Sequence, residues 1–452
     1  MVQAFRSLRT DPLSFMTRMS RDYGPVARVR IGNERLVFVS DPALVGEVLQ
    51  KQHENFIKDR ITRLLMETLG KGLLTSEGEA WKRHRKAIAP IFKRSHLESW
   101  STEMVRRTDA EVDRWLAAVA SGDQVVEVAP AWARVTLGIV FATVFGASLQ
   151  DVSGEVGAAL DVMMDQFELE LRTWRRFVPQ RWLRGGRRRV ANAREALDCV
   201  VYGLIAARRQ RPLEEDDDLL GRLMLARDPD GAPLNDEELR DEAVTMFVAG
   251  HETTAIGLSM ACWQLGHHPE ARARLQAELC AVLGDGTPCG GATLRPPTHA
   301  DVAQMPYLRG VVQETLRMHP PAYVIGRTVL EPMELGGFGL DAGDSVLMSQ
   351  FALHHDARYF ASPERFLPER WDDGFEQSLP KFAYFPFGGG PRVCVGNHFA
   401  TLEMQLCLAT VWRRVTLEAI GPLHPPTHPS VTLRPATKLP MRLTPLALAP
   451  GS

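Results

Sequence analysis

A cysteine with unusual neighbours lies in the segment FPFGGGPRVCVGNHFA, residues 385–400. Cys394 stands two residues after Arg392 and two before Gly396, and three consecutive glycines precede them. A buried thiolate needs compensation, which the N–H groups and dipole of a helix predicted just downstream would supply. The glycines let the chain approach a flat group closely, and Arg392 suits an anionic partner. These residues together indicate a metal ligand.

Haem iron bound by a thiolate meets all of these requirements, with Arg392 contacting a propionate. An isolated cysteine is more often a buried hydrophobe or an idle thiol, and this is our expectation for the other five cysteines. They contain no C-x-x-C pair and no zinc-module spacing, and a disulfide framework is not expected. These five are Cys199, Cys262, Cys280, Cys289 and Cys407.

The pattern F-x-x-G-x-R-x-C-x-G is complete in Phe387, Gly390, Arg392, Cys394 and Gly396. With it the sequence resembles the cytochrome P450 family of haem-thiolate monooxygenases, of the bacterial soluble type. The resemblance implies haem b (iron protoporphyrin IX) as cofactor, with Cys394 as the proximal iron ligand and Phe387 packed beneath the haem. It also implies the fold, with the haem held between a long central helix and the cysteine loop.

A second motif is Glu314 and Arg317 in the segment ETLR, three positions apart and therefore on one helix face. Alone, such a pair is usually a solvated surface ion pair. The resemblance implies instead a buried structural network with an arginine from a later segment. The segments SPERF and LPERW offer Arg365 and Arg370. The family register selects Arg370 and makes Arg365 the decoy.

A third motif, AGHETT, places Glu252 and Thr253 within a long apolar helix. Buried polar side chains cost stability unless they have partners or a role. One interpretation is structural, with the threonine hydrogen-bonded to its own helix and the glutamate paired with a basic neighbour. The resemblance implies a catalytic role, in which Thr253 hydrogen-bonds dioxygen and Glu252 belongs to the proton relay. His251 is expected to be a bystander.

A fourth motif, W-x-x-x-R, places Trp81 and Arg85 on one face of a basic helix. Without context this is a solvated surface helix. The resemblance implies that both residues address a haem propionate together with Arg392, and it adds Arg327 as a further propionate arginine. All four motifs occur in family order, so the resemblance covers nearly the whole chain.

The elements that must position these residues are mainly helical. The segments VARVRIG and RLVFVS predict a β-hairpin, and helical patterns dominate afterwards. A long central helix is predicted to begin with Asn235 as its N-cap, and the segment YLRGVVQETLRMH predicts another helix. The fold class is therefore mainly α with a smaller β portion. We expect residues 1–452 to form a single haem domain with no fused reductase.

Composition restricts the partners. The chain has 452 residues, 45% of them apolar, and a formal net charge of −2, so nothing global argues for nucleic-acid binding. No apolar run reaches the roughly 20 residues of a transmembrane helix, and no hydrophobic signal segment is visible at the start. We therefore expect a cytoplasmic protein without a transmembrane anchor.

The predicted activity is monooxygenation, the insertion of one oxygen atom from O2 into a small hydrophobic substrate by hydroxylation or epoxidation. No nucleotide or iron–sulfur motif is visible, so electrons are expected from a ferredoxin or flavodoxin-type donor with its NAD(P)H reductase. The donor could dock on the basic run Lys82, Arg83, Arg85 and Lys86. A merely solvated helix is about as good an interpretation.

The resemblance implies pocket walls that include Phe247, Ala249, Val324 and Ile325, which favour a fatty acid, terpenoid, steroid or polyketide. The arginine-rich segment RTWRRFVPQRWLRGGRRRV is interpreted as a lid over the substrate entrance. Direct use of peroxide, a haem sensor or carrier, and a haem-free zinc or scaffold protein are the alternatives. The intact Glu252–Thr253 pair argues against the first, and the cysteine spacing argues against the last.

Overall fold

The computed structural model describes residues 8, 10–92, 94–145, 153–172, 184–210, 218–227, 231–285 and 294–446. Helices dominate these residues and short strands form small sheets, so the predicted fold class is confirmed. The arginine-rich lid segment lies mostly outside the described residues. Its glycines at 185 and 186 predict a loop between two helices, but Gly185 and Gly186 lie in the first turn of a helix that begins at Arg184.

The helices of the first half are mostly long. They are α1 Pro12–Tyr23, α2 Pro42–Gly46, α3 Arg60–Leu69, α4 Gly78–Ile88, α5 Arg94–Ala120, α6 Val128–Phe145, α7 Ser153–Arg172, α8 Arg184–Arg209 and α9 Leu219–Leu225. The later helices are α10 Asp236–His267, α11 Pro269–Leu283, α12 His299–Val302, α13 Pro306–Met318, α14 Gln350–His354, α15 Phe375–Ser378 and α16 Asn397–Trp412. A π-helical turn spans Glu47–Lys51, and 3₁₀ turns span His53–Asn55, Ala89–Phe92, Pro368–Gly374 and Gly390–Arg392.

Within the described ranges the strands form four small sheets. They are β1 Val26–Ile31, β2 Glu34–Val39, β3 Phe56–Lys58, β4 Val125–Glu127, β5 Ile325–Val329, β6 Met333–Leu335, β7 Phe338–Leu340, β8 Ser345–Met348, β9 Val415–Ala419, β10 Thr427–Pro429, β11 Leu433–Pro435 and β12 Pro440–Pro445. The largest sheet has the order β1-β2-β8-β5-β3, and a three-stranded sheet has the order β4-β12-β9. β6 pairs with β7, and β10 pairs with β11. The predicted hairpin is confirmed as the antiparallel β1–β2 pair.

The central helix α10 has 32 residues and begins where the sequence predicts. The Asn235 side chain accepts from the Glu238 backbone N–H at 3.0 Å, and the Glu238 carboxylate accepts from the Asn235 N–H at 2.9 Å. This capping box satisfies two backbone donors that a helix end otherwise leaves unpaired. Most of the helix beyond its first turn is buried, so it runs through the principal hydrophobic core with α5, α6, α13 and α16.

The cysteines outside the Cys394 loop differ from one another. Cys262 and Cys407 are buried, as expected, and Cys199 is exposed. Cys280 is disulfide-bonded, which corrects the expectation that all of these cysteines are free thiols. Cys289 lies outside the described residues. None of the helices in the described ranges has an apolar stretch of the length that a bilayer requires.

Two histidines near the end of α13 are held in their neutral form. Burial lowers the pKa of His319 to about 3, and nearby His355 and Arg317 act in the same direction. Burial also lowers the pKa of His355 to about 4, again with a contribution from Arg317. The neutral ring of His319 lies 2.8 Å from the amide nitrogen of Gln264, which donates to it. Protonating either ring therefore opposes folding.

We expect the free energy of unfolding to fall as the pH drops from about 6.5 towards 3, because the unfolded chain binds protons there that the folded chain refuses. His319→Gln should flatten this slope, removing about 1–2 kcal/mol of the loss between pH 6.5 and 5. Urea unfolding of both proteins across this range measures it. The matched control is His398→Gln, which changes an exposed histidine. Parallel pH profiles for wild type and His319→Gln would contradict the assignment.

Candidate functional site

The loop that carries Cys394 has a backbone that only glycine accommodates at two positions. Gly388 has φ +72° and Gly390 has φ +65°, and a Cβ on Gly390 would collide with the backbone carbonyl of Leu49. The Cys394 N–H donates to the carbonyl of Phe387 at 2.9 Å. The turn is thereby fixed against the π-helical segment before β3, and the cysteine has a defined position.

Two groups favour the ionised form of the Cys394 sulfur. Burial raises the pKa of its thiol, while the Gly396 N–H and the charge of Arg85 lower it. Gly396 is the N-cap of α16, so the predicted contribution of a helix start is present at this sulfur. The side chain nevertheless keeps accessible surface. A sulfur that is surrounded by protein, approached by a cation and still accessible suits a metal ion as its partner.

Cys407 lies in the middle of α16 and differs in each of these respects. It has no exposed surface, and its sulfur accepts a hydrogen bond from the Thr108 hydroxyl at 3.2 Å. Burial, with the nearby Glu403 adding to it, raises the pKa of this thiol well above its usual range. A flat cofactor cannot reach a sulfur enclosed between α5 and α16. Cys407 is therefore a packing residue, and Cys394 is the candidate ligand.

The AGHETT segment forms an accessible patch in the buried helix α10. Ala249 is exposed and Gly250 and Thr253 are partly exposed, whereas Val248 and Thr254 on either side are buried. Residues four apart share a helix face, so Ala249 and Thr253 border the same space. The Thr253 hydroxyl donates to the Ala249 carbonyl at 2.7 Å, as the structural interpretation requires. Its oxygen keeps lone pairs that can accept a further hydrogen bond.

Glu252 is bound by residues that the sequence did not indicate. Its Oε1 accepts from the Thr432 hydroxyl at 3.0 Å, and Arg434 Nη1 lies 3.9 Å from the same oxygen. Both partners lie in the β10–β11 hairpin region, 180 positions further along the chain in the case of Thr432. No local pattern marks them, because only the packing of this hairpin against α10 brings them to Glu252.

Cationic side chains crowd the region between β3, β5 and the cysteine loop. Lys58 and Arg327 are directly opposite each other in the β3–β5 ladder, where like charges oppose pairing. Burial lowers the pKa of Lys58 well below its usual range, and Arg327 and Arg392 lower it further. Burial also lowers the pKa of Arg327 to about 10. Lys58 was missed by the sequence analysis, although its place in the cluster follows once β3 is paired with β5.

The predicted propionate residues fall into two groups. Trp81 stacks on Arg392, with the guanidinium carbon 4.1 Å from the ring centroid, and Arg392 donates to the Ser76 carbonyl at 2.9 Å. Arg392 also pairs with Glu77. Burial lowers the pKa of Arg392 to about 10 and lowers that of Arg85. The structure thus brings Trp81 and Arg392 into contact, and it places Arg85 near the Cys394 sulfur.

The residues present fit haem b. A buried cation is stabilised by a negative charge beside it. Within the described residues, however, Arg327 donates only to the carbonyl of its neighbour Gly326, at 2.8 Å. Two propionates would supply that charge to Lys58, Arg327 and Arg392. Cys394 supplies the thiolate, and the glycine loop leaves room for a flat ring. The haem-binding residues would therefore be these cations, Cys394 and Phe387.

The predicted structural network of Glu314, Arg317 and Arg370 is compact, and Glu314 and Arg317 have no exposed surface. Both oxygens of Glu314 accept from Arg317 at 2.9 Å, and Arg370 Nε lies 3.3 Å from Glu314 Oε1. The Trp371 indole donates to Glu314 Oε2 at 3.0 Å. Arg365 contributes only its backbone carbonyl, which accepts from Arg317 at 3.2 Å. The structure thus joins Glu314 to the side chain of Arg370 and not to that of Arg365.

The predicted pocket residues do not all share one surface. Ala249 is exposed, and Val324 and Ile325 are partly exposed before and at the start of β5. Phe247 has no exposed surface, and its ring packs 4.7 Å from that of Phe141. Phe247 therefore belongs to the core between α6 and α10, because the helix turns its side chain away from the face that Ala249 occupies.

Comparisons with known proteins agree with one another. The family model described as Cytochrome P450 matches residues 1–440. Cytochrome P450 4d2 of Drosophila melanogaster is 31% identical over 96% of this chain and 89% of its own length. Two proteins of Streptomyces melanosporofaciens are each 30% identical to this chain. Cyclooctatin synthase covers 97% of this chain and 91% of itself, and cyclooctat-9-en-7-ol 5-monooxygenase covers 90% and 86%.

We expect Lys58→Met to have opposite effects on the haem-free and haem-loaded protein. Without haem the change removes repulsion from Arg327 and Arg392, so stability should rise or stay level. With haem it removes a cation from a bound carboxylate, at a cost of about 1.5–3 kcal/mol. Thermal unfolding of both forms measures the difference. Lys51→Met, at an exposed lysine, is the matched control. A change in melting temperature of the same sign in both forms would refute the assignment of Lys58, Arg327 and Arg392 to the haem propionates.

Proposed function

Because the chain belongs to the cytochrome P450 family, we propose that Cys394 is the ligand of its haem iron and that Glu252 and Thr253 serve proton delivery. The protein is a haem-dependent monooxygenase with haem b as its cofactor, so the predicted activity and cofactor are confirmed. When bound, the haem supplies the activation of O2. The reaction consumes RH, O2, two electrons and two protons, and yields ROH and H2O.

The observation that carries the assignment of Cys394 is its combination of accessible surface with two stabilising groups. Arg85 and the Gly396 N–H both favour the thiolate, and the glycine loop fixes its position. A thiolate held in this way needs no movement of the chain to bind a metal. Cys407 offers neither an accessible sulfur nor a cation.

Glu252 and Thr253 are proposed to manage the two protons of the reaction. Thr253 borders the accessible patch with Ala249, where its hydroxyl oxygen can accept one more hydrogen bond. Glu252 is the next residue in the chain, its carboxylate is held by Thr432 and Arg434, and a positioned carboxylate can accept and release a proton. A positioned acid–base pair supports delivery of protons in step with electrons. Its loss would favour release of reduced oxygen without product.

An external donor supplies the electrons, and we propose a ferredoxin or flavodoxin-type protein docking on α4. The four residues of the predicted basic run have different surroundings in the structure. Arg85 lies near Cys394 and Arg83 pairs with Glu238, while Lys82 and Lys86 are exposed. A cavity of about 480 Å³ on this face is lined by Trp81, Lys82, Arg85, Lys86, Ala89 and Pro90. Exposed lysines beside the ligand loop suit an acidic partner.

The substrate is hydrophobic, and we propose a molecule with few polar groups. Ala249, Val324 and Ile325 offer apolar surface, and the charged groups of the site are assigned to the haem and to protons. The name of one relative describes action on cyclooctat-9-en-7-ol, which supports a terpenoid among the predicted classes. The single haem domain over residues 1–452 is likewise a proposal, supported by the family match to residues 1–440. The cytoplasmic location stays a prediction.

Cys394→Ser is expected to abolish the red-shifted Soret band that reduced, carbon monoxide-treated protein shows when haem is bound by thiolate. Cys407→Ser should keep that band, because its sulfur only packs against Thr108. Absorbance difference spectra of reconstituted wild type and both variants measure this. Loss of the band in Cys407→Ser with its retention in Cys394→Ser would exchange the two assignments.

Reversing the charges of Lys82 and Lys86 together, by substitution with glutamate, should slow reduction by an acidic ferredoxin about tenfold or more at low salt. The effect should shrink as ionic strength rises, because salt screens exposed charges. Stopped-flow reduction measures the rate. Lys438→Glu with Arg442→Glu is the control for a changed net charge elsewhere, since both side chains are exposed and lie on or next to β12, away from the cysteine loop. Equal rates for the two double variants would place the donor on another surface.

A further inference from the structure

The carboxylate of Glu252 is connected through Arg434, in the β10–β11 hairpin region, to a polar surface pocket. Thr432 binds its Oε1 at 3.0 Å, and Arg434 approaches the same oxygen at 3.9 Å. The side chain of Glu252 is 23% exposed and that of Arg434 is 30% exposed, so neither is sealed from water. Residues of the hairpin region thus hold the Glu252 carboxylate, which remains accessible to water for proton exchange.

Arg434 is shared between two carboxylates. Its Nη2 donates to Glu168 Oε2 on α7 at 2.8 Å, a shorter contact than the 3.9 Å to Glu252. The other oxygen of Glu168 contacts Nε2 of His428, which lies on β10. An arginine stays protonated under all ordinary conditions, so Arg434 cannot pass a proton itself. It can fix the two carboxylates on either side of it.

A pocket of about 470 Å³ lies at the outer end of this chain of contacts. It is lined by Asp165, Glu168, Leu169, His428, Arg434, Pro435 and Ala436. Asp165 is exposed and the His428 side chain is 33% exposed, so protons from solvent reach this end. Arg434 Nε is buried without a hydrogen-bond partner among the described residues. That free donor can hold a water between the pocket and the hairpin.

We infer that this pocket is where the protons consumed at Glu252 are taken up, with Thr432 and Arg434 as positioning residues for Glu252. The inference rests on the proposed role of Glu252. A proton from solvent reaches the pocket carboxylates and His428, crosses beside Arg434 through water, and protonates Glu252. Glu252 returns to carboxylate when it gives the proton up. Since Arg434 is bound more closely to Glu168, Glu252 stays free to accept.

Among the residues that the structure describes, the charged and titratable groups that face this route come from four elements. They are Asp165 and Glu168 on α7, His428 on β10, Arg434 on β11 and Glu252 on α10. Asp165 and Glu168 therefore line the pocket, and Arg434 lies between Glu168 and Glu252. A clamp that only joined the hairpin to α7 would need Glu168 and Arg434, but it would not need an open pocket or the contact to Glu252.

The first readout is independent of turnover. The infrared carboxylate band of Glu252 is obtained in haem-loaded protein as the difference between wild type and Glu252→Gln. Arg434→Gln and Thr432→Val should each shift this band, because each removes a partner of the carboxylate. Arg106→Gln, which removes a surface partner of Glu103, should leave it in place. An unchanged band in Arg434→Gln and Thr432→Val would overturn their role as positioning residues.

The second readout is the rate of oxygen consumption without substrate, driven by NADPH through a surrogate reductase and ferredoxin, in H2O and in D2O. Arg434→Gln and His428→Gln should slow it about tenfold and raise the solvent isotope effect, a smaller loss than the ~10²–10⁴ of a removed proton donor. Glu252→Gln should have the larger effect, and adding Arg434→Gln to it should change nothing further.

The outcomes separate the two proposals. If Glu252→Gln raises the isotope effect while Arg434→Gln and His428→Gln match wild type, protons reach Glu252 by another route and the proposed role of Glu252 stands. If Glu252→Gln itself matches wild type, that role fails and the route fails with it. A loss in Arg434→Gln that comes with an unchanged isotope effect would show a structural clamp only. Thermal unfolding of each variant verifies that the comparison concerns folded protein.

Discussion

The cost of holding charge inside the protein governs the arrangement of the site. Burial raises the pKa of the Cys394 thiol, and the Gly396 N–H and Arg85 counteract part of that rise. The same helix start that supplies the N–H also ends the glycine loop, so the position and the charge of the sulfur have one structural origin. Cys407 shows the opposite case, because burial raises the pKa of its thiol well above the usual range and keeps it neutral.

The cost of burying a charge also applies to the cationic side chains of the site. Burial lowers the pKa of Lys58, Arg327 and Arg392, and the two arginines lower that of Lys58 further. The haem propionates are the anions that would relieve them. The charge of Glu314 is compensated within the chain. Its carboxylate is fully buried, and it accepts hydrogen bonds from Arg317, Arg370 and Trp371. One network is complete within the chain and supports the fold. The other would be completed by the haem propionates that we propose it binds, and this would couple haem binding to stability.

Glu252 lies between these extremes. It has a hydroxyl donor in Thr432 and a distant arginine in Arg434, which is weaker compensation than Glu314 receives. Glu252 is partly exposed, whereas Glu314 is fully buried. This difference in burial and in partners supports a structural role for Glu314 and the proposed proton-transfer role for Glu252.

The sequence by itself determined the features that depend on neighbouring residues. The glycine loop at Cys394, the capping box of Asn235 and the Glu314–Arg317 pair are local, because turn and helix geometry fixes their contacts over a few positions. Tertiary structure alone decided that Lys58 opposes Arg327, that Phe247 turns into the core, and that Thr432 and Arg434 reach Glu252. Strand register and the packing of a distant hairpin control these contacts, and neither leaves a pattern in the neighbouring residues.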